Sequence, residues 1–98
     1  MSIIHNINKV FDHRIRLGIM SILMVNEYAD FNMLKELLEV TDGNLASHMS
    51  ALDKKAFVET KKRFVGKKPN TSFRITDEGR AAFKNHLNAL EMLLKEGI

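Results

Sequence analysis

Small polar side chains recur at helical spacing in the segment from Asp42 to Lys55. Leu45, Met49 and Leu52 stand at i, i+4 and i+7, which predicts a helix with one buried face. The opposite face carries Gly43, Asn44, Ser47, Ser50, Ala51 and Lys54. An asparagine amide can pair with adenine through two hydrogen bonds, and serine hydroxyls can bind bases or phosphates. This pattern favours insertion into the major groove of DNA, although a solvated amphipathic helix shows the same spacing.

Positive charge is concentrated between Lys54 and Arg74, where eight basic residues oppose a single acidic residue, Glu59. This window has a net charge of +7, whereas the whole chain has +3 and the remaining residues therefore carry −4. A basic stripe on an otherwise acidic chain favours a polyanionic partner, although a solvated lysine-rich surface gives the same count. Its coincidence with the small polar helix favours double-stranded DNA.

Residue patterns for catalysis or metal binding are weak in this chain. The four histidines are scattered along the sequence: His5, His13, His48 and His86. The chain has no cysteine, and it contains no nucleophile-elbow or phosphate-loop pattern. We therefore predict no enzymatic activity, no catalytic residue, no metal site and no cofactor. A histidine–carboxylate site shared across a dimer, for example one using His86 and Glu91, remains the alternative.

Length and composition indicate one globular domain, since the chain has 98 residues, of which 45% are hydrophobic and 28% charged. The longest uncharged apolar run, Leu17 to Val25, is far shorter than the roughly 20 residues of a membrane span. No secretory signal pattern is visible. We therefore expect a cytoplasmic protein with no membrane partner.

Three helices are predicted in the first half of the chain. The first follows Asp12 as its N-cap and runs to Val25, and residues 6–11 either precede it as a short helix or extend it. Residues 28–31 form either a short strand or a loop. The second helix starts at Asn32, with a stripe formed by Leu34, Leu37 and Leu38. Thr41 caps the third helix.

A β-hairpin and a last helix are predicted in the second half. Residues 57–65 and 71–75 alternate as strands, and residues 66–70 form a turn somewhat longer than the tightest type. Thr76 caps the last helix, in which Phe83, Leu87, Leu90 and Leu94 form an apolar stripe. A helix of about 20 residues spans about 30 Å, which is long for the small core that a chain of this length can form. This stripe, with Ile3, Ile4 and Ile7, therefore predicts a homodimer.

Four stretches resemble the winged-helix transcription regulators of the MarR/ArsR type, and more closely the small stand-alone winged-helix DNA-binding proteins of bacteria and archaea. They are DHRIRL at 12–17, DGNLASH at 42–48, GKKPNT at 66–71 and ITDEGR at 75–80. The resemblance implies that Asn44, Ser47 and His48 lie on a recognition helix and that Lys67 and Lys68 lie on the wing. It also implies a homodimer held through the terminal helices.

Two positions depart from the pattern of these regulators. Ala56 stands where the family usually has a glycine just after the recognition helix, and alanine is costly there if the backbone is left-handed. Lys68 stands where an arginine often precedes the wing proline. Because lysine lacks the planar fork of arginine, phosphate contact is expected at this position.

The resulting prediction is a mainly α protein with a small β-hairpin, in the α+β class, folded as a winged helix-turn-helix with a long C-terminal dimerisation helix. The helix-turn-helix covers about 32–55, the wing about 57–76 and the last helix about 77–96 of a single domain at 1–98. The residues predicted to contact DNA are Thr41, Asn44, Ser47, His48, Lys54, Arg63, Lys67 and Lys68.

The expected function is sequence-specific regulation of transcription, as a repressor, by a homodimer on a pseudo-palindromic operator. The sequence gives neither the operator nor an effector. A protein-interaction or assembly module without sequence-specific DNA binding is the alternative. RNA is a further alternative, disfavoured because no exposed aromatic residues are expected within the basic stripe.

Overall fold

The computed structural model describes residues 4–96, and over that range it contains four α-helices and a three-stranded antiparallel sheet. A 3-10 helix at Lys9–Phe11 comes first. The elements that follow are α1 (Arg14–Val25), β1 (Ala29–Asp30), α2 (Phe31–Leu38), α3 (Asp42–Lys54), β2 (Val58–Val65), β3 (Lys68–Ile75) and α4 (Asp77–Glu96). The predicted α+β class is confirmed. None of the helices in this range is long and apolar enough to cross a membrane.

The N-terminal side of α1 differs from the prediction. The N-cap of α1 is His13, whose Nδ1 accepts a 3.1 Å hydrogen bond from the backbone N–H of Ile15, so the assignment of Asp12 is wrong. The open question about residues 6–11 is also resolved, because the 3-10 helix is separate from α1 and is capped by Asn8.

The connection from α1 to α3 is short and tightly capped. Ala29 and Asp30 form β1, and Asp30 also caps α2 by accepting a 2.7 Å hydrogen bond from the backbone N–H of Met33. The helix therefore begins at Phe31, one residue before the predicted start. Leu37 is exposed rather than part of the buried stripe, because α2 turns only its Leu34 side fully inward.

The hairpin is tighter than predicted. Strands β2 and β3 pair from Val58 opposite Ile75 to Val65 opposite Lys68, which leaves only Gly66 and Lys67 in the turn. Gly66 has a φ of 67°, in the left-handed region that two-residue hairpin turns require. The sequence prediction of a longer loop was wrong because Lys68, Pro69 and Asn70 belong to β3 rather than to the turn.

Phe11 is fully buried at a junction of the core. Its ring lies 5.5 Å from that of Phe57, 5.2 Å from that of Phe83 and 5.2 Å from that of His86, measured between centroids. Aromatic contacts of this kind join the 3-10 helix, the start of the hairpin and α4 into one core. The core therefore fixes the direction in which both the hairpin and α4 leave the body.

Candidate nucleic-acid interface

The outer face of α3 is open to solvent and lightly engaged. Asn44, Ser47, Ser50 and Lys54 are exposed, while the opposite side of the helix is buried as predicted. Thr41 caps the helix by accepting a 3.2 Å hydrogen bond from the backbone N–H of Asn44. Within the described residues, the side-chain amide of Asn44 makes no hydrogen bond, so its donor and acceptor are available to a ligand.

His48 is half-buried, and α1 holds it in place. Its Nδ1 accepts a 3.0 Å hydrogen bond from Nε of Arg16, and its ring lies 4.0 Å from the ring of His13. Burial lowers the pKa of His48, and the nearby His13 and Arg16 lower it further. The lowered pKa favours the neutral imidazole, and the contacts of His48 anchor α3 against the N-terminus of α1. Arg16, which also donates a 3.1 Å hydrogen bond to the carbonyl oxygen of Val10, had no predicted role, although it lies in the DHRIRL stretch.

The N-terminal turn of α3 carries an acid, Asp42, whose carboxylate pairs with Lys35 at 2.8 Å. An acidic side chain at this position interacts favourably with the helix dipole, but it repels phosphate. Lys35, on α2, offsets that negative charge. The two helices of the helix-turn-helix are therefore joined by an ion pair at the N-terminal end of α3.

The basic residues of the wing project from the hairpin. Arg63 is exposed on β2, Lys67 lies in the turn, and Lys68 is the exposed first residue of β3. Arg74 is different, because it forms a 3.0 Å ion pair with Glu59 across the hairpin. None of the other basic residues between 54 and 74 takes part in an ion pair within the described residues, so they are available to anions.

The wing also exposes an aromatic side chain that the sequence analysis did not anticipate. Phe64 is 73% exposed among lysines and arginine near the hairpin tip. Tyr28 is also partly exposed, and Nζ of Lys61 lies 5.7 Å from its ring centroid. The expectation of a basic stripe without exposed aromatic residues is therefore wrong. Strand alternation places Phe64 on the same face as Val58, the buried residue of β2, but six residues further along the strand, where the body of the protein no longer covers it.

His86 has a structural role in the protomer. It is 4% exposed, and its Nδ1 accepts a 3.1 Å hydrogen bond from the backbone N–H of Asn8. Burial lowers its pKa, an effect that Asp12 partly opposes. Glu91 instead pairs with Lys95 at 2.8 Å, and no group of three metal-binding side chains occurs among residues 4–96.

The apolar stripe of α4 changes from buried to exposed along the helix. Phe83 is 2% exposed and lies in the core, Leu90 is half-buried, and Leu94 is 83% exposed. Leu87, one helical turn after Phe83, is also exposed. The stripe thus continues past the body of the protomer. Ile4 is exposed and Ile7 half-buried, whereas Ile3 lies outside the described residues.

A helix-turn-helix followed by a basic two-stranded hairpin is the arrangement of a winged helix. The model of the winged helix DNA-binding domain family matches residues 15–94. The chain belongs to this family. The match includes α2, α3 and the hairpin in full, and nearly all of α1 and α4.

Relatives and solved structures agree with the family. The chain is 42% identical over 87 residues to the uncharacterized protein MJ0432 of Methanocaldococcus jannaschii, a match that covers 89% of this chain and 95% of that protein. It is 31% identical to a solved transcriptional regulator homologue of Pyrococcus horikoshii OT3, with a TM-score of 0.85 over 96% of this chain and 91% of the other.

The fold also extends to more distant regulators. A solved regulator of the MarR family from Enterococcus faecalis V583 is 21% identical, with a TM-score of 0.71 over 91% of this chain and 76% of the other. The predicted winged-helix fold, which these solved regulators of the MarR and ArsR families share, is confirmed.

Proposed function

We propose that this winged-helix protein binds double-stranded DNA in a sequence-specific manner and represses transcription, acting by binding rather than by catalysis. The observation that carries the proposal is the outer face of α3, which is exposed, small and polar and ends in the positive charge of Lys54. A recognition helix must enter a major groove about 12 Å wide, which this face permits.

The residues of α3 divide by role. Asn44 and Ser47 read base edges, because both are exposed near the N-terminal end that enters the groove first. Thr41 and Lys54, at the two ends of α3, contact phosphates of the DNA backbone. His48 contributes through its contacts with Arg16 and keeps α3 at a fixed angle to α1.

The wing supplies affinity. Arg63, Lys67 and Lys68 hold the phosphate backbone, which sets the register of the protein on the duplex without reading sequence directly. Such contacts release counterions, so affinity falls steeply as salt concentration rises.

The active species is a homodimer in which the part of the α4 stripe that the core does not fully cover packs against its copy. This part consists of the exposed Leu87 and Leu94 and the half-buried Leu90. Phe83 continues that stripe but is already buried in the protomer, so it supports the interface from within. A two-fold dimer presents its two recognition helices one helical turn of DNA apart, about 34–36 Å, and the operator is then a pseudo-palindrome.

The experiment that tests DNA binding is a fluorescence anisotropy titration with a random-sequence duplex at several salt concentrations. We expect binding that weakens steeply with salt, and enrichment of a pseudo-palindrome when the protein selects from a random pool. No binding at low salt would contradict the proposal and favour the protein-interaction module.

A further inference from the structure

The exposed ring of Phe64 has a defined position on the wing. Phe64 is paired with Pro69 across the hairpin, so the two side chains lie on one face of the ribbon. By strand alternation this is the face on which Val58, Ile75 and Phe73 are buried nearer the body. The core-facing side of the hairpin therefore continues outward as an apolar pair that the protomer does not cover.

The surroundings of this pair are cationic. Lys62 and Arg63 precede Phe64, and Lys67 and Lys68 follow it around the two-residue turn, all of them exposed. Single exposed apolar residues are common and need no explanation. Phe64 is different because cations flank it along the ribbon: Lys62 shares its face, Lys67 lies in the turn, and Arg63 and Lys68 lie on the opposite face. Phosphates attracted to these charges bring the ring against the duplex, between the two phosphate backbones.

We infer that Phe64, backed by Pro69, is an apolar wedge that enters the minor groove of the DNA beside the major-groove site of α3. The inference rests on the proposed DNA binding. Between two phosphate backbones lie the sugar walls and base edges of the groove, and phenylalanine is among the side chains that unstack a base step there. The wedge favours flexible pyrimidine–purine steps and bends the duplex toward the major groove.

The test compares Phe64→Ala with Val65→Ala on a duplex that the wild-type protein has selected from a random pool. Val65 is the matched control, because it is also exposed, at 59%, and neighbours the same cations but points to the other face of the ribbon. Affinity and salt slope are read by anisotropy, and bending by energy transfer between dyes at the two duplex ends.

We expect Phe64→Ala to weaken binding about tenfold, the scale of a lost base–aromatic contact. Its salt slope stays that of the wild type because no charge is removed, and the bend is lost. Phe64→Leu keeps part of the bend, and Val65→Ala changes neither affinity nor bend. Replacing the pyrimidine–purine step under the wing by a stiff A-tract weakens the wild type but not Phe64→Ala.

Three results would overturn the wedge, the last of them together with the proposed function. The first is equal affinity and bending for Phe64→Ala and Val65→Ala on a duplex that the wild type binds in a salt-sensitive way, which leaves the proposed function intact. The second is tighter wild-type binding to the separated single strands, lost in Phe64→Ala, which assigns the ring to base stacking on single strands. Absence of salt-sensitive duplex binding by the wild type refutes the proposed function and the wedge together.

Discussion

The hydroxyl of Thr76 donates a 2.7 Å hydrogen bond to the carbonyl oxygen of Ala56, twenty residues earlier in the chain. The same hydroxyl oxygen accepts a 2.8 Å hydrogen bond from the backbone N–H of Gly79, as the N-cap of α4. One side chain thus joins the residue that follows the C-terminal end of α3 to the N-terminal end of α4. The hairpin lies between these two points, so its base is held closed.

Ala56→Gly is expected to stabilise the protein. Ala56 has a φ of 60°, in the left-handed region where a Cβ atom is strained and glycine is not. Relief of this strain stabilises the folded protein, whereas the greater freedom of glycine stabilises the unfolded chain. The net increase in the free energy of unfolding is about 0.5–1 kcal/mol. The Tm should rise by about 2–8 °C in calorimetry. A lower Tm would show that the backbone at this position is relaxed.

Gly79→Ala is expected to destabilise the protein strongly. A Cβ at Gly79 would overlap the carbonyl oxygen of Phe57, so α4 or the base of the hairpin must move. Overpacking of this kind costs about 1–3 kcal/mol or more, measurable by urea denaturation. Gly43→Ala is the matched control, because nothing lies within 4 Å of its Cβ position. The control should gain up to about 1 kcal/mol from helix propensity.

The sequence was sufficient for those parts of the fold that depend on local patterns. The 3.6-residue spacing of Leu45, Met49 and Leu52 located α3, and the hydroxyls of Thr41 and Thr76 located two helix starts, all confirmed by the structure. The basic stripe and the small polar face of α3 favoured double-stranded DNA as the partner, and the resemblance to the family added the hypothesis of a transcription regulator.

Features that depend on contacts between distant segments could not be predicted in this way. Arg16 meets His48 across 32 residues, and no local spacing signals that pair. The N-cap was assigned to Asp12 because aspartate is the commoner cap, whereas the structure uses an imidazole nitrogen of His13. The exposure of Phe64 depends on where the body of the protein ends, which requires the packed structure.

Stability should fall as pH is lowered below the ordinary histidine pKa of 6.5. Burial lowers the pKa of His86, so below pH 6.5 the unfolded chain binds a proton that the folded chain resists. The contribution of His86 to the free energy of unfolding is therefore fully present above pH 6.5, and it is lost progressively as the pH falls toward the lowered pKa of His86. Chemical denaturation of the wild type and His86→Gln at neutral and mildly acidic pH isolates the effect from that of the carboxylates. An equal loss in both proteins would exclude His86 as the source.

Leu94→Glu is expected to convert the proposed homodimer into monomers. Leu94 is 83% exposed in the protomer, so the substitution should leave the fold intact while placing a charge in an apolar interface. Sedimentation analysis would measure the shift in mass, and circular dichroism would check the fold. Asn85→Glu adds the same charge on the opposite side of α4, about 180° away, and should leave the dimer unchanged. A monomeric wild type would refute the proposed interface.

Lys67→Ala and Asn44→Ala should impair DNA binding in different ways. Lys67 lies in the exposed hairpin turn and is assigned to phosphate, so its loss should weaken binding to every duplex alike and reduce the salt slope by about one unit. Asn44 carries no charge, and its unpaired amide is assigned to a base edge. Its loss should leave the salt slope unchanged. The difference in binding free energy between the selected and the random duplex should fall by about 1–3 kcal/mol. Anisotropy titrations of both duplexes at several salt concentrations separate the two effects. Wild-type affinity and salt slope in both variants would mean that neither α3 nor the wing meets the DNA.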